Sequence, residues 1–464
     1  MTRPFRRGLQ GAKNPWEMSV ALLGMILLFA ILTGCGGLGS PVTTTPPPNQ
    51  QLNTSINHII FMVQENRAFD HYFGKLPDYW KANGYPNQAF DGLPANASNL
   101  ADDGSTVNAF HLRTVCVQNL SPGWNESHVI WNVTDPVSPT PKLDGFVHTA
   151  ANFSRNAVPP DAPIFDQEGL RSMGYYDGSD LNFYYFMASN FATSDRWFSP
   201  VMSRTQLNRL YLFAATSAGY VNPPKVSLPN KTIFELLESA GISWKVYETD
   251  PNTAFIGNFQ PFASQHTANV VPLSQYYTDL TNGTLPSVAV IEPGYASGLD
   301  EHPNQNIQPG ATHVHDIMKA LMQSSSWKDS AFILTFDEFG SFYDHVPPQP
   351  AVQPDGVAPI DLGANDVCSK VTGPNCNFVF TGYRIPLLVV SPFTKKNYVS
   401  HTTADFTAIL KLIETRFGLT SLTNRDAAQM DMTEFFDFNN PPWMTPPGVP
   451  DQDLNGLCDF HAVP

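Results

Sequence analysis

Three short apolar runs in this chain of 464 residues break off on acidic residues. His58-Ile59-Ile60-Phe61-Met62-Val63-Gln64 leads into Glu65-Asn66, Leu285 to Ile291 stops at Glu292, and Ala331-Phe332-Ile333-Leu334-Thr335-Phe336 runs straight into Asp337-Glu338. Runs of this length, rich in β-branched and aromatic residues and bounded by polar ones, are expected to be buried strands. Arg384 to Pro392 gives a further strand and Ile242 to Tyr247 an alternating one. Helical patterns lie between them, over 183–190, 210–215, 232–240, 314–323 and 406–417, the last followed by Gly418. This alternation predicts an α/β fold with a mainly parallel sheet covered on both faces. In such sheets ligands bind beyond the carboxyl ends of the strands. Glu65 and Asn66, with Arg67, Asp70 and His71 close behind, therefore suggest a cation site, an ordinary polar loop being the alternative.

A formal charge of −15 argues against non-specific nucleic-acid binding, which needs basic surface. Arg3, Arg6, Arg7 and Lys13 precede an apolar run over 18–32 that is short for a spanning helix of roughly 20 residues. It ends in Leu32-Thr33-Gly34-Cys35, which resembles a bacterial lipobox. Residues 1–35 are therefore expected to be a signal peptide, cleaved so that a lipidated Cys35 holds an exported protein at a membrane; a plain secretory peptide and an uncleaved anchor are the alternatives. Residues 36–55, with Thr43-Thr44-Thr45-Pro46-Pro47-Pro48, read as a tether, and 56–464 as the folded domain. Cys116, Cys368, Cys376 and Cys458 remain, an even number consistent with two disulfides in an exported chain. Cys368 and Cys376 can close a small loop, leaving Cys116 with Cys458; free or metal-binding thiols are the alternative, although no C-x-x-C occurs.

From Gly74 to about Asp144 periodicity is weak, and loops this long usually carry or decorate a site. His128, in Trp124-Asn125-Glu126-Ser127-His128, reads either as a packed residue or as part of that site. Asp180 is a plausible cap for the helix over 183–190. Ser203-Arg204-Thr205 precedes the next helix, so its hydroxyls are either caps or a nucleophile with helix N–H groups behind it. The pairs Glu65-Asn66 and Asp337-Glu338 suit a hard divalent cation, and with His302 they suggest a metal-assisted hydrolytic centre. Neither a G-x-S-x-G elbow nor a P-loop is present.

Gln64-Glu65-Asn66-Arg67-Ala68-Phe69-Asp70-His71-Tyr72-Phe73-Gly74 resembles the signature of a phosphoesterase family that contains bacterial non-zinc phospholipases C and acid phosphatases. The resemblance continues through Met173-Gly174-Tyr175-Tyr176, Thr205 with Asn208-Arg209, Asp300-Glu301-His302-Pro303, Thr335 to Glu338, and Phe342-Tyr343-Asp344-His345-Val346, spanning about 57–438. It implies an alkaline-phosphatase-like three-layer sandwich. One divalent cation, calcium or another hard ion, would be held by Glu65, Asn66, Asp337 and Glu338, with Thr205 as nucleophile and fifth ligand. His302 would be acid/base or phosphate donor, His128 a further candidate for that shell, and His345 either a supporting group or a structural one. The implied substrate is a phosphate ester, a phospholipid if the chain acts as a phospholipase C and a phosphomonoester if as an acid phosphatase. A surface binding protein that kept the fold without turnover is the non-enzymatic alternative. Ala68 replaces the family's usual Ser, Phe339 and Ser341 its glycines, and Arg204 and Leu207 its prolines beside Thr205. The changes around Phe339 and Thr205 are expected to reshape the substrate mouth. The extra C-terminal domains of the long phospholipases are not expected, which leaves lipid preference open.

Overall fold

A computed structural model describes residues 47–463. The apolar runs become strands of one eight-stranded sheet. In chain order these are β1 His58–Gln64, β2 Ala192–Ser194, β3 Trp244–Glu248, β4 Val270–Pro272, β5 Val288–Glu292, β6 Ser330–Phe336, β7 Leu387–Val390 and β8 Tyr398–Ser400. Across the sheet they lie in the order β8-β2-β7-β6-β1-β5-β3-β4. Every neighbouring pair is parallel except the two made by β7, which runs against both β6 and β2. The reversal has a simple cause. The chain leaves β6 at Phe336 and wanders through turns and one 3-10 turn at Pro374–Cys376, with no crossover helix to carry it back to the sheet's other end.

β5 and β6 are buried along their whole length and β1 from Ile59 onward, as strands covered on both faces should be. Four helices build the site or brace the sheet beneath it: α1 Pro48–Ser55, α2 Thr205–Ala214, α3 Ile307–Gln323 and α4 Ala408–Phe417. α1 contacts α4, and α4 contacts α2; separately, α3 contacts the helices Asn182–Asn190 and Leu273–Asn282. The result is an α/β fold with helical layers around a central, mainly parallel sheet.

Several local expectations shift. The helix expected over 314–323 starts at Ile307, where the Asn306 side chain accepts from Gln308 N at 2.9 Å and Pro309 falls in the first turn, so its missing N–H costs nothing. Asp180 is not a helix cap: the helix begins after Leu181, and the Asp180 carboxylate pairs with His111 Nε2 at 2.7 Å. The weakly periodic stretch after Gly74 contains the short helices Leu76–Asn83 and Trp124–Trp131. Both expected disulfides form, Cys116–Cys458 and Cys368–Cys376. The lipobox and Cys35 lie outside the described residues, within which no helix is long and apolar enough to cross a membrane.

The tether, expected to reach residue 55, stops short of it. Residues 48–55 form α1, which buries Leu52 completely and leads into the equally buried Ile56. Gln51 Nε2 donates to Asn439 Oδ1 at 2.9 Å, and Arg416 of α4 donates to the Ile56 carbonyl. Leu52→Ala should therefore destabilise the domain by about 2–3 kcal/mol, as truncation of a buried leucine does. Denaturant unfolding measures this; a loss below about 0.5 kcal/mol would mean that α1 is not docked.

Candidate active site

Parallel pairing of β1 and β6 sets Gln64 opposite Phe336, so the residues just beyond each strand emerge side by side. Asp337 N donates to Gln64 O at 2.9 Å, Asn66 N to Asp337 Oδ1 at 2.8 Å, and Arg67 N to Glu338 O at 2.9 Å. The two acidic motifs, 271 residues apart in sequence, are thus stitched together by main chain. Asn66 adopts a left-handed backbone (φ 58°), a conformation Asn tolerates better than most residues and one that gathers at functional sites. Gly340, also left-handed (φ 65°), donates from its N–H to Glu338 Oε2 at 2.7 Å; a Cβ there would lie 2.2 Å from the Asn66 carbonyl oxygen.

Thr205 is the first residue of α2, yet its hydroxyl does not cap the helix. It donates toward Glu65 Oε2 at 3.0 Å and Asn66 Oδ1 at 3.2 Å. One helical turn on, Arg209 faces the same way and donates to Glu65 Oε1 from Nη2 at 2.8 Å and from Nε at 3.1 Å. Asn208 holds the preceding loop by accepting from Val201 N and donating to Ser203 O. His302 Nδ1 faces the Pro303 carbonyl at 2.8 Å and must carry the proton there, which leaves Nε2 as an acceptor 3.2 Å from the Asn66 amide nitrogen. The His302 loop is anchored by Glu301, a buried residue with φ 64°. Its carboxylate accepts from Gln64, Tyr72 and Tyr184, while its carbonyl accepts from Arg67. A cavity of about 210 Å³ opens over these groups, lined by Asn66, Ser121, Arg204, Thr205, Gln206 and His302 among others.

The buried charges do not balance. Glu65, Glu292 and Asp337 lie around the guanidinium of Arg209, and Glu338, equally buried, follows Asp337 in the chain. Burial works to raise the Glu65 carboxyl, but Arg209 first, then His302, Asp337 and the Thr205 hydroxyl, outweigh it and hold it below its usual range. Burial and then the Glu65 charge push Asp337 well above the usual range, and burial and then Asp337 do the same to Glu338. Asp337 Oδ2 and Glu338 Oε1 are buried without a hydrogen-bond partner. Although Glu65, Asp337 and Glu338 are not all within 4.8 Å of one another, two orphaned carboxylate oxygens at the edge that also carries Glu65 and Asn66 make an all-oxygen set of side chains deficient in positive charge, chemistry that fits a hard divalent cation.

The acidic groups drawn most tightly together are elsewhere. In Asp70–Asp344–His345 and His111–Asp177–Asp180 the ligand atoms lie within 4.8 Å of one another. The first already holds its cation: Arg384 donates to Asp344 from Nε at 2.9 Å and to Asp70 from Nη2 at 3.1 Å. His345 completes that network, with Nδ1 2.6 Å from Asp70 and Nε2 2.9 Å from Asp91, so it is structural.

Glu65, Asn66, Thr205 and His302 thus converge by direct hydrogen bonds, with Asp337 and Glu338 joined to them through the main chain. His128 does not join them. It is fully buried, both ring nitrogens meet backbone carbonyls, Trp124 O at 2.7 Å and Asn375 O at 3.1 Å, and the ring packs on Trp124. Phe339 is also not at the mouth; it is buried and stacks on Tyr383 at 4.1 Å. Arg209 and Glu301 stand in the family motifs without a role assigned from sequence, and the fold shows that one pairs with Glu65 and the other anchors the His302 loop.

A family model described as Phosphoesterase family matches residues 56–420. Phospholipase C B of Mycobacterium tuberculosis is 30% identical over 454 residues, 87% of this chain and 82% of that protein. Non-specific phospholipase C4 of Arabidopsis thaliana is 32% identical over 376 residues, 75% of this chain and 63% of that protein. Among solved structures, murine ectonucleotide pyrophosphatase/phosphodiesterase 5 is similar with a TM-score of 0.37 and 11% identity, over 55% of this chain and 94% of that one. The class is that of the phosphoester hydrolases. Within it, the chain belongs to the phosphoesterase family.

The unbalanced charge can be measured. Chelator-treated protein should gain thermal stability on addition of calcium, magnesium or manganese, by about 2.7 kcal/mol at a hundred times the Kd. Glu338→Gln should blunt that gain, and a melting temperature indifferent to all three ions would sink the cation site. His345 offers the pH test. Burial opposes its protonation, but the bond to Asp70 wins and raises its pKa from 6.5 to about 9. Its stabilising charge is fully present below about 6.5 and fades as pH rises through 9. His345→Gln should accordingly lower the melting temperature more at pH 6 than at pH 10.

Proposed function

We propose that this protein is a metal-dependent hydrolase of phosphodiesters, acting as a phospholipase C through a covalent phosphothreonine. The single observation that carries the reading is the Thr205 hydroxyl, turned away from a capping role and toward Glu65 Oε2 and Asn66 Oδ1. A residue kept only to start a helix has no reason to face the acidic residues beyond β1.

Glu65, Asn66, Asp337 and Glu338 would hold the cation, with Thr205 as an additional oxygen ligand. When bound, a divalent cation lowers the pKa of a neighbouring hydroxyl and offsets charge on a phosphoryl oxygen. Thr205 Oγ, its hydroxyl proton released to solvent, attacks phosphorus, and the Oγ–P bond forms as the bond from phosphorus to the glycerol oxygen breaks. His302 Nε2, an acceptor in the free site, takes up a proton from solvent and gives it to the departing alkoxide. In the second half Nε2 takes a proton from water as that water attacks phosphorus, and the Oγ–P bond breaks to release the phosphorylated headgroup. Arg209 keeps Glu65 ionised throughout, and the carbonyl of Pro303 keeps the imidazole oriented. The first residues of α2, Thr205 and Gln206, line the same cavity, and a helix N-terminus favours phosphate charge.

The phospholipase C names of relatives that span most of this chain support the diester over the monoester. We further propose that the protein is exported and held at a membrane through Cys35. The two disulfides support an oxidising compartment.

The test pairs phosphatidylcholine with an aryl phosphomonoester. Diacylglycerol and phosphocholine should appear from the lipid, and Thr205→Ala should cut turnover by about a thousandfold or more while the fold is retained. Turnover of the monoester alone would make the protein an acid phosphatase. Unchanged hydrolysis by Thr205→Ala would remove Thr205 as nucleophile.

A further inference from the structure

The cavity over Thr205 holds a positive charge that the proposed reaction leaves unused. Arg204 lines it, half-buried, immediately before the nucleophile. Its side chain makes no hydrogen bond or ion pair with any described residue, unlike the buried Arg67, Arg171, Arg209, Arg384 and Arg425, which are all bonded. Its guanidinium passes over Gly123, where an added methyl would lie 2.6 Å from Nη2 and 2.5 Å from Glu126 Oε2. The bare glycine is what leaves the arginine its place. The other ionised side chain of the cavity, Asp161, is already engaged by the Asn119 amide at 3.1 Å and the Asn304 amide at 3.4 Å.

We propose that Arg204 is a substrate-contacting residue that binds a non-bridging oxygen of the phosphate ester seated over Thr205, and that it tilts the site toward esters carrying two negative charges over those carrying one. This deepens the hydrolytic reading above and rests on it. A guanidinium presents paired N–H donors that match phosphate oxygens, and an unpaired one beside a nucleophile is poised to make such a bond when substrate enters. A dianionic phosphomonoester, or a diester whose headgroup bears its own anion, gains a full extra charge interaction there. A zwitterionic headgroup does not. Selectivity among phosphate esters thus depends on a side chain adjacent to the nucleophile, apart from the groups proposed to hold the cation.

The test uses an aryl phosphomonoester and the matching aryl methyl phosphodiester, which share a leaving group and differ by one charge, with inorganic phosphate as a third probe. Arg204→Gln should lower kcat/KM on the monoester by about ten- to hundredfold, mostly through KM, with a smaller loss on the diester. It should weaken inorganic phosphate binding, measured by calorimetry, by a similar factor. Arg204→Lys should recover part of both, and Gly123→Ala, which crowds Nη2 without removing charge, should shift them the same way as Arg204→Gln. The melting temperature of Arg204→Gln should match wild type, because the side chain bonds to nothing in the fold. Equal losses on the two esters, or phosphate affinity unchanged in Arg204→Gln, would overturn the proposal. Wild-type protein inert toward both esters and toward phosphatidylcholine would instead defeat the hydrolytic reading, and the calorimetric arm would still decide whether Arg204 binds phosphate.

Discussion

The register between β1 and β6 is the constraint on which the site depends. Parallel strands direct successive carboxyl ends to the same edge, and setting Gln64 against Phe336 brings Glu65-Asn66 and Asp337-Glu338 out side by side without any side chain having to search for the other. A slip of one residue would turn every side chain of the strand to the opposite face. That slip is blocked by the burial of both strands on both faces, so hydrophobic packing far from the chemistry fixes the chemistry's geometry. Gly340, two residues beyond Glu338, and the left-handed Asn66 let the two chains touch once the register is set.

The second dependence is electrostatic. Burying three carboxylates around one guanidinium is costly unless another cation arrives, and the fold accepts that cost at the site. Several buried acids away from it are closed off by an arginine: Asp70 and Asp344 by Arg384, Asp405 by Arg425 at 2.7 Å, Asp166 by Arg171 at 3.1 Å. The contrast separates scaffold from site better than acidity alone, since the tightest acidic clusters are the ones already satisfied or solvated. α2 links this charge to the hydroxyl, because Thr205 and Arg209 are one turn apart on a helix and cannot turn independently toward Glu65.

Much of this was legible in the residues. Apolar runs ending on acids announced both the parallel sheet and the edge where polar groups would meet, and the family motifs named Glu65, Asn66, Thr205, His302, Asp337 and Glu338. What periodicity could not carry was direction and partnership. Nothing local distinguishes β7 from its parallel neighbours, because the reversal lies in the long excursion after β6. His128 and Phe339 looked available for the same reason: an aromatic or a histidine in an irregular stretch has no pattern to reveal whether it faces a carbonyl or a cavity. The helix over 48–55 was hidden in a proline- and threonine-rich context, and only Leu52 and Ile56, four residues apart, betray a docked face.

The strap made by Cys116 and Cys458 reaches further than its two residues. It fastens the end of the chain against the segment from Thr114 to Cys116, where Val115 N donates to Leu457 O at 2.7 Å and the Thr114 hydroxyl accepts from Asp459 N at 2.9 Å. A few residues on, Asn119, Leu120, Ser121 and Pro122 form one wall of the cavity. Residues 342 positions apart in sequence therefore share one fastening, and the segment around Cys458 braces the cavity wall from behind. Reduction of that single bond would loosen the enclosure beside Thr205 without touching any group that lines it.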